Sequence, residues 1–551
     1  MTTGKEVAQR LKTSLRVAAQ QASDRGLLVS ARWAAEQLAG VSISSEAVID
    51  PRLIVEVASD PPWTSIKDDD DHERHHDTFL LAKSYYANQE YDRAAHVLQR
   101  VEHPAGVFLK LYSRFLAAEK RTSEEMPDPF SEKDRRIASA SNSEFQAVQV
   151  ELYERNDSSG LDGYLLYLYG LILSRQKQES QARDVLIESI KKAPLNWSAW
   201  LELSTFIQSP TDMNAILGLL PSCWVAKFLV VHLAGSLSLS DEGMPEIADE
   251  ISTMFPTSDY ALGLKASAEQ HIGNWTAASH LFNTLLARSP YSLDFMDTYA
   301  NCLWMLNDGP RLSALAHIAA RVDKYSEKTS CIIANYYSMR GEHDKAILHF
   351  RRALKLNPDY VDVWTMLGHE QLEAKNPHAA IESFRRAVDM NPRDHRAWFG
   401  LGTAYELLKV NSYARHYYMR ATHIRPTDAR LWKSLGSVYE KLGDETSAIQ
   451  CYRRAVNGSD EDIFAWHHLA RLHSSTGSPE LAIKCFQLVI TTSTSDPQRY
   501  QLLQEEAALH LARHYRDNGN YQAAMKAIAE ISSDEGRGLM KEIRRLMALQ
   551  S

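Results

Sequence analysis

The chain has 551 residues, with 61 Lys plus Arg, 70 Asp plus Glu and a formal net charge of -9. Its 44% hydrophobic and 24% charged content is that of a folded globular protein rather than a disordered one. An acidic total argues against a nucleic-acid coat, which needs a dense basic surface, and no run of about twenty apolar residues is present to cross a bilayer.

In chain order, Met1-Thr2-Thr3-Gly4-Lys5-Glu6 opens a polar helical stretch with no apolar signal core, so a soluble intracellular chain is expected. Residues 1–49 read as a helical pair. Leu11, Leu15, Ala18 and Ala22 form one apolar stripe, Leu27, Ala31, Ala35 and Leu38 a second, and Gly40 is a plausible stop. Residues 50–74, with Pro61-Pro62-Trp63 and Asp68-Asp69-Asp70-Asp71, read as an acidic linker. His72, His75 and His76 beside that acidic run lack any fixed ligand geometry, so no metal and no cofactor is expected. Residues 75–292 hold weaker helical repeats, starting at Leu81-Ala82-Tyr85, with Trp200-Leu203-Ser204 opening a unit cut short by Pro210 and Pro221. An inserted segment, 117–160, is rich in charge, Ser and Asn and reads as a loop.

The strongest signal lies in 293–496. Trp364, Trp398, Trp432 and Trp466 recur every 34 residues. Four residues past each stands Gly368, Gly402, Gly436 or Ala470; sixteen past stands Ala380, Ala414, Ala448 or Ala482; twenty past stands Phe384, Tyr418, Tyr452 or Phe486. This period and these signposts resemble the tetratricopeptide (TPR) repeat. The physical reading is a helical hairpin, in which the small residues let two helix backbones approach while the bulky ones fill the adjoining hole. The same ruler runs back through Ser330, Met296 and Leu262. After a spacer near Thr491–Pro497, residues 497–551 add a last hairpin, Leu511-Ala512-Tyr515 then Ala524 and Ile528, and a capping helix. The fold expected is an all-α TPR solenoid, a right-handed superhelix of about a dozen antiparallel helix pairs.

No phosphate-binding loop, dinucleotide fingerprint or zinc-protease helix occurs, so no enzyme is expected. Cys223, Cys302, Cys331, Cys451 and Cys485 form no C-x-x-C pair and read as buried thiols. Ser209-Pro210, Ser289-Pro290 and Ser478-Pro479 are explained by turn chemistry. His467-His468 fit the helix of their repeat.

Stacked hairpins offer a concave surface whose default use is binding. Residues at -2, +1, +5 and +8 from the Trp position should line it: Asp294, Asp297, Asn301 and Trp304, then Lys328, Cys331, Asn335 and Ser338. The next repeats supply Asp362, Thr365, His369 and Leu372, then Arg396, Phe399, Thr403 and Glu406. Asn301 and Asn335 hold equivalent positions, so their amides can both donate to and accept from an extended peptide. Asp294, Asp297, Glu373 and Glu406 would favour a basic ligand side chain, above all Arg.

A narrower resemblance rests on Asn335-Tyr336-Tyr337-Ser338-Met339-Arg340, on the stretches His349–Pro358, Trp364–Glu370 and Arg396–Glu406, and above all on Ser23-Asp24-Arg25-Gly26-Leu27-Leu28-Val29-Ser30-Ala31-Arg32-Trp33-Ala34-Ala35-Glu36, which is not TPR consensus. Together they resemble the subunit 8 (cell-division-cycle protein 23) family of the anaphase-promoting complex, or cyclosome, over nearly the whole chain. The resemblance implies a non-catalytic subunit of a multi-subunit E3 ubiquitin ligase, present in nucleus and cytoplasm. It implies a homodimer formed through the N-terminal repeats, stacking on other TPR and scaffold subunits, and a C-terminal groove that receives the arginine-containing C-box of a coactivator. Asn301, Asn335, His369, Glu370, Glu373 and Glu406 are the candidates for that groove. A TPR co-chaperone clamping acidic C-terminal peptides is the alternative; Asp297, Met366 and Gly400 stand where its basic or polar side chains are wanted. A TPR glycosyltransferase would need a catalytic domain beyond the repeats, and little sequence follows Leu546.

Overall fold

The computed structural model describes residues 4–41, 60, 69–124, 143–207, 209–236, 243–458, 463–492, 497–528 and 534–550, and among them every regular element is a helix. The chain forms two compact units, Met1–Pro358 and Asp359–Ser551. In each, consecutive helices pair as antiparallel hairpins that stack on the next pair, the TPR solenoid.

The ruler has a direct structural cause. A Cβ added to Gly368 would come within 2.6 Å of the Phe384 ring, one on Gly402 within 2.5 Å of Tyr418, and one on Gly436 within 3.0 Å of Tyr452. Each aromatic of the second helix thus lies on the missing side chain of the first. The Trp–Pro pairing is equally concrete. The indole N–H of Trp200 donates to the Pro194 carbonyl at 2.8 Å, Trp398 to Pro392 at 2.7 Å and Trp432 to Pro426 at 2.7 Å. Each Trp thereby satisfies the carbonyl of the proline two residues past the end of the preceding helix. Arginines cover two of the rings, Arg386 over Trp364 at 4.8 Å and Arg454 over Trp432 at 4.6 Å.

Turns obey the same period. Residues 273, 307, 341, 375, 409, 443 and 477, spaced 34 apart, all take positive φ just past a first helix, as a left-handed C-terminal cap requires. Four are glycine; Lys375 and Lys409 adopt φ of 59° and 61° against their preference. Helix starts are fixed by side chains, with Ser209, Ser258, Asp308 and Asp428 each accepting a backbone N–H of the first turn. Ser209 of Ser-Pro is therefore an N-cap. All five cysteines are buried and free.

The sequence expectations need correction in several places. Most of the segment 117–160 is helical, in Pro104–Glu124 and Ser143–Ser159; residues 125–142 lie outside the described residues. Val148 and Leu152 are buried and Phe145 packs beside Phe115 at 5.3 Å, a helical stripe hidden among charges. Those charges pair with neighbouring helices: Lys110 and Arg114 hold Glu151, and Arg175 holds Glu119. The acidic run of the 50–74 linker enters the helix Asp69–Ala87, where acidic residues favour the N-terminal turn; 50–59 and 61–68 lie outside the described residues. In that helix Phe79 and Ala82 are buried while Leu81, which the sequence aligns with Leu367 and Leu401 of the later repeats, is 45% exposed. The division by packing at Pro358 does not bear on the division of roles drawn at 292/293.

The second N-terminal stripe also differs. Helix Leu28–Gly40 buries Ser30, Trp33, Ala34, Gln37 and Gly40, leaving Ala35 exposed. Its buried face mixes polar with apolar residues, which a count of apolar periodicity misses. Gly40 is the last helical residue, and its bare α-carbon is needed because an added Cβ would meet Ser258 at 2.8 Å.

Candidate functional site

In the first unit the wall positions do not stand empty. Ser198, Tyr260 and Asp294 each lie two residues before their repeat's Trp position, and helix Leu28–Gly40 runs along them. Trp33, 2% exposed, is stacked between Trp197 at 5.0 Å and Trp224 at 5.5 Å, with the Phe228 ring edge-on at 5.5 Å. The Ser30 hydroxyl donates to Asn196 Oδ1 at 2.9 Å and accepts from the Ser198 N–H at 2.8 Å; Ser258 donates to Gln37 Oε1 at 3.0 Å. The preceding turn is gripped as tightly. Buried Arg25 pairs with Asp60 at 2.6 Å and lies over the Tyr164 ring at 4.2 Å, while the Tyr86 hydroxyl donates to the Gly26 carbonyl at 2.9 Å. The sequence Ser23–Glu36, outside the repeat consensus, is thus the part that docks on the repeats.

Helix Leu28–Gly40 reaches the candidate groove at Asp294, whose carboxylate takes Arg32 at 2.8 Å and Lys328 at 2.8 Å. Beyond it, Asn335 Nδ2 donates to Asn301 Oδ1 at 2.7 Å, so the two predicted amides meet across consecutive repeats. Asn301 is half-buried and Asn335 is 5% exposed. Next along the same helices, Trp304 Nε1 donates to Ser338 Oγ at 3.1 Å.

His369, Glu370, Glu373 and Glu406 belong to the second unit. His369 lies edge-on to Phe384 at 5.0 Å, and Glu370, 7% exposed, sits inside rather than on an open wall. Glu373 is exposed. Glu406 accepts from the Tyr418 hydroxyl at 2.7 Å and from Lys441 of the next repeat at 2.5 Å. Its counterpart 34 residues on, Glu440, was not singled out from sequence although the period points to it. Glu440 accepts from Tyr452 at 3.0 Å, His468 at 2.8 Å and Arg471 at 2.8 Å. Burial raises its pKa, but His468 and Arg471 outweigh that and hold it at about 2. A third inter-repeat bridge joins Arg396 to Asp362 at 2.6 Å. Because Glu406, Glu440 and Asp362 each have a cationic partner from the adjoining repeat, they tie hairpin to hairpin, while the Tyr418 and Tyr452 hydroxyls brace Glu406 and Glu440 from within their own hairpins.

Three histidines of this unit stay neutral. Burial, aided by Arg396, takes His369 to about 4; burial, against the pull of Asp394, takes His395 to about 4; burial, aided by His468, takes His467 to about 4. The unfolded imidazole titrates near 6.5, about where the unfolded chain begins to bind protons that the folded one refuses. Their contribution is complete above that pH and is lost as pH falls toward 4. His467→Gln should therefore flatten the decline of melting temperature between those limits by a few degrees, read by calorimetry at stepped pH; an unchanged slope would refute the assignment.

Among the described residues no group of three or more His, Cys, Asp or Glu is placed to hold a metal, and no helix is long and apolar enough to cross a membrane. The surface offers amides, paired charges and aromatic faces, the chemistry of polypeptide recognition.

Comparison with known proteins narrows this reading. Residues 10–266 match the family described as anaphase promoting complex subunit 8 / Cdc23, and residues 328–360, 365–409, 429–457 and 465–495 match tetratricopeptide repeat families. Anaphase-promoting complex subunit 8 of Arabidopsis thaliana is 34% identical over 392 residues, covering 67% of this chain and 66% of the relative. The Dictyostelium discoideum subunit 8 is 32% identical over 414 residues, covering 67% and 69%. The mouse cell division cycle protein 23 homolog is 36% identical over 310 residues, covering 56% and 49%, so these alignments span half to about two thirds of each relative. Among solved structures, the crystal structure of the APC/C hetero-tetramer Cut9-Hcn1 aligns with TM-score 0.53 at 16% identity, covering 85% of this chain and 96% of that one, a likeness of fold. With the repeat ruler, the docked Ser23–Glu36 segment and these relatives in agreement, the chain belongs to the anaphase promoting complex subunit 8 / Cdc23 family.

Proposed function

We propose that this chain is a non-catalytic scaffold subunit of the anaphase-promoting complex, an E3 ubiquitin ligase acting in nucleus and cytoplasm. In this reading it homodimerises through its N-terminal repeats and stacks on other TPR and scaffold subunits. Its groove receives the arginine-containing C-box of the coactivator. Family membership supports the assembly role, and one observation carries the groove: the amide pair Asn335–Asn301 on the wall of consecutive repeats. Their mutual bond uses one N–H of Asn335 and one lone pair of Asn301, so Asn301 retains both N–H groups and Asn335 one N–H and its carbonyl oxygen for a peptide backbone.

The test is twofold. Immunoprecipitation of the tagged chain from mitotic cells should recover sister ligase subunits; recovery of chaperones in their place sinks the assembly role. Replacing Asn301 and Asn335 together with Ala should weaken binding of a C-box peptide roughly tenfold, two hydrogen bonds' worth, with helical circular dichroism unchanged. Undiminished affinity removes the pair from the groove.

A further inference from the structure

Asp294 is an acidic residue just ahead of the helix Met296–Met305 that carries Asn301. It precedes Asn301 by seven residues, as Lys328 precedes Asn335 in the following repeat. Its backbone is held in place from behind. Phe295 takes φ of 63°, a left-handed conformation that a bulky residue adopts only when packing enforces it. The enforcement is visible: an added Cβ on Gly263 would fall 2.4 Å from the Phe295 ring, and Tyr260 stands 5.6 Å from it. Asp294 thus adjoins a backbone position fixed by packing.

Two cations answer it. Lys328 comes from the following repeat, with its side chain 31% exposed; Arg32 comes from the docked N-terminal helix and is 60% exposed. Arg32 also has an alternative partner on its own helix, Glu36, at 3.5 Å. A guanidinium released from Asp294 therefore need not be left without a counter-charge. Tyr260 stacks on Phe228 at 6.1 Å, and Phe228 touches Trp33, so the docked helix and Asp294 share one packed aromatic chain.

We infer that the N-terminal helix gates the groove, with Arg32 occupying Asp294 as an internal stand-in for a ligand arginine. An arginine-bearing peptide that approaches the Asn301–Asn335 wall takes Asp294 by displacing Arg32 toward Glu36. This rests on the reading of that wall as a peptide groove. It adds an internal competitor carried by the same chain, so the affinity of the groove is set partly by residues far from it in sequence.

The experiment compares the full chain with its Arg32→Gln variant by fluorescence anisotropy. The probes are an arginine-bearing C-box peptide and a twin in which citrulline replaces the arginine. Arg32→Gln should bind the arginine peptide roughly two- to fivefold more tightly, the scale of a partly exposed ion pair, and leave the citrulline twin unchanged. In an Asp294→Asn background the gain should vanish. Equal or weaker binding of the arginine peptide by Arg32→Gln, or an equal gain for the citrulline twin, overturns the gate while leaving the groove standing. Failure of both chains to bind either peptide overturns the groove reading and the gate with it.

Discussion

Replacing Trp33 with Ala should destabilise the first unit by about 3–5 kcal/mol, the cost of emptying a buried aromatic site that its surroundings cannot refill. Trp33 lies between two parallel indoles, and Phe228 and Phe255 continue the cluster, with Trp224 5.1 Å from Phe255. Removing the middle ring abolishes both stacks together. Near-ultraviolet circular dichroism should lose the coupled tryptophan signal, and the denaturant midpoint should fall with little loss of far-ultraviolet helicity. A shift of less than about 1 kcal/mol, the range of a surface substitution, would mean that the helix is not held by this ring.

The second large effect belongs to the repeat hinge at Phe384. Its ring is flanked by Gly368 of its own hairpin and Gly400 of the next, whose added Cβ atoms would lie 2.6 and 2.3 Å away. Phe384→Ala should cost about 3–5 kcal/mol by leaving a cavity shared by two repeats. Gly400→Val should cost about 1–3 kcal/mol from the opposite direction, by overfilling the same space. The two substitutions combined should partly rescue each other, since they act on one volume. Strict additivity in urea unfolding would contradict the shared packing.

These two sites differ in how visible they are from sequence. Phe384 and Gly368 belong to a period that repeats every 34 residues, so the hairpin, the close approach and the filler ring follow from spacing alone. Gly400 faces the same ring from the following repeat, a relation between hairpins that no single repeat displays. Trp33 was legible only as part of an unusual segment. Apolar counting put the buried stripe at Leu27, Ala31, Ala35 and Leu38, while the helix buries Ser30 and Gln37 beside Trp33 because each finds a hydrogen-bond partner on a distant repeat.

The amide pair shows the same division. Asn301 and Asn335 were placed on one wall by their register, and the hydrogen bond between them follows from two equivalent positions one repeat apart. Nothing in the register revealed that Asp294 is already shared by Arg32 and Lys328, since Arg32 lies far away in the chain. Within the segment 117–160 the described residues differ for a related reason: charge and Ser content suggest a loop, but Glu119 and Glu151 pair with neighbouring helices and Val148 and Leu152 are buried.

Local spacing of large and small side chains by itself determined the helices, their pairing into hairpins and the residues that could face a common wall, because those depend on contacts within one or two repeats. Tertiary structure alone decided what occupies that wall and which charges remain there. Occupancy depends on a helix brought back from the start of the chain, and a buried polar residue declares its role only through the partner it meets.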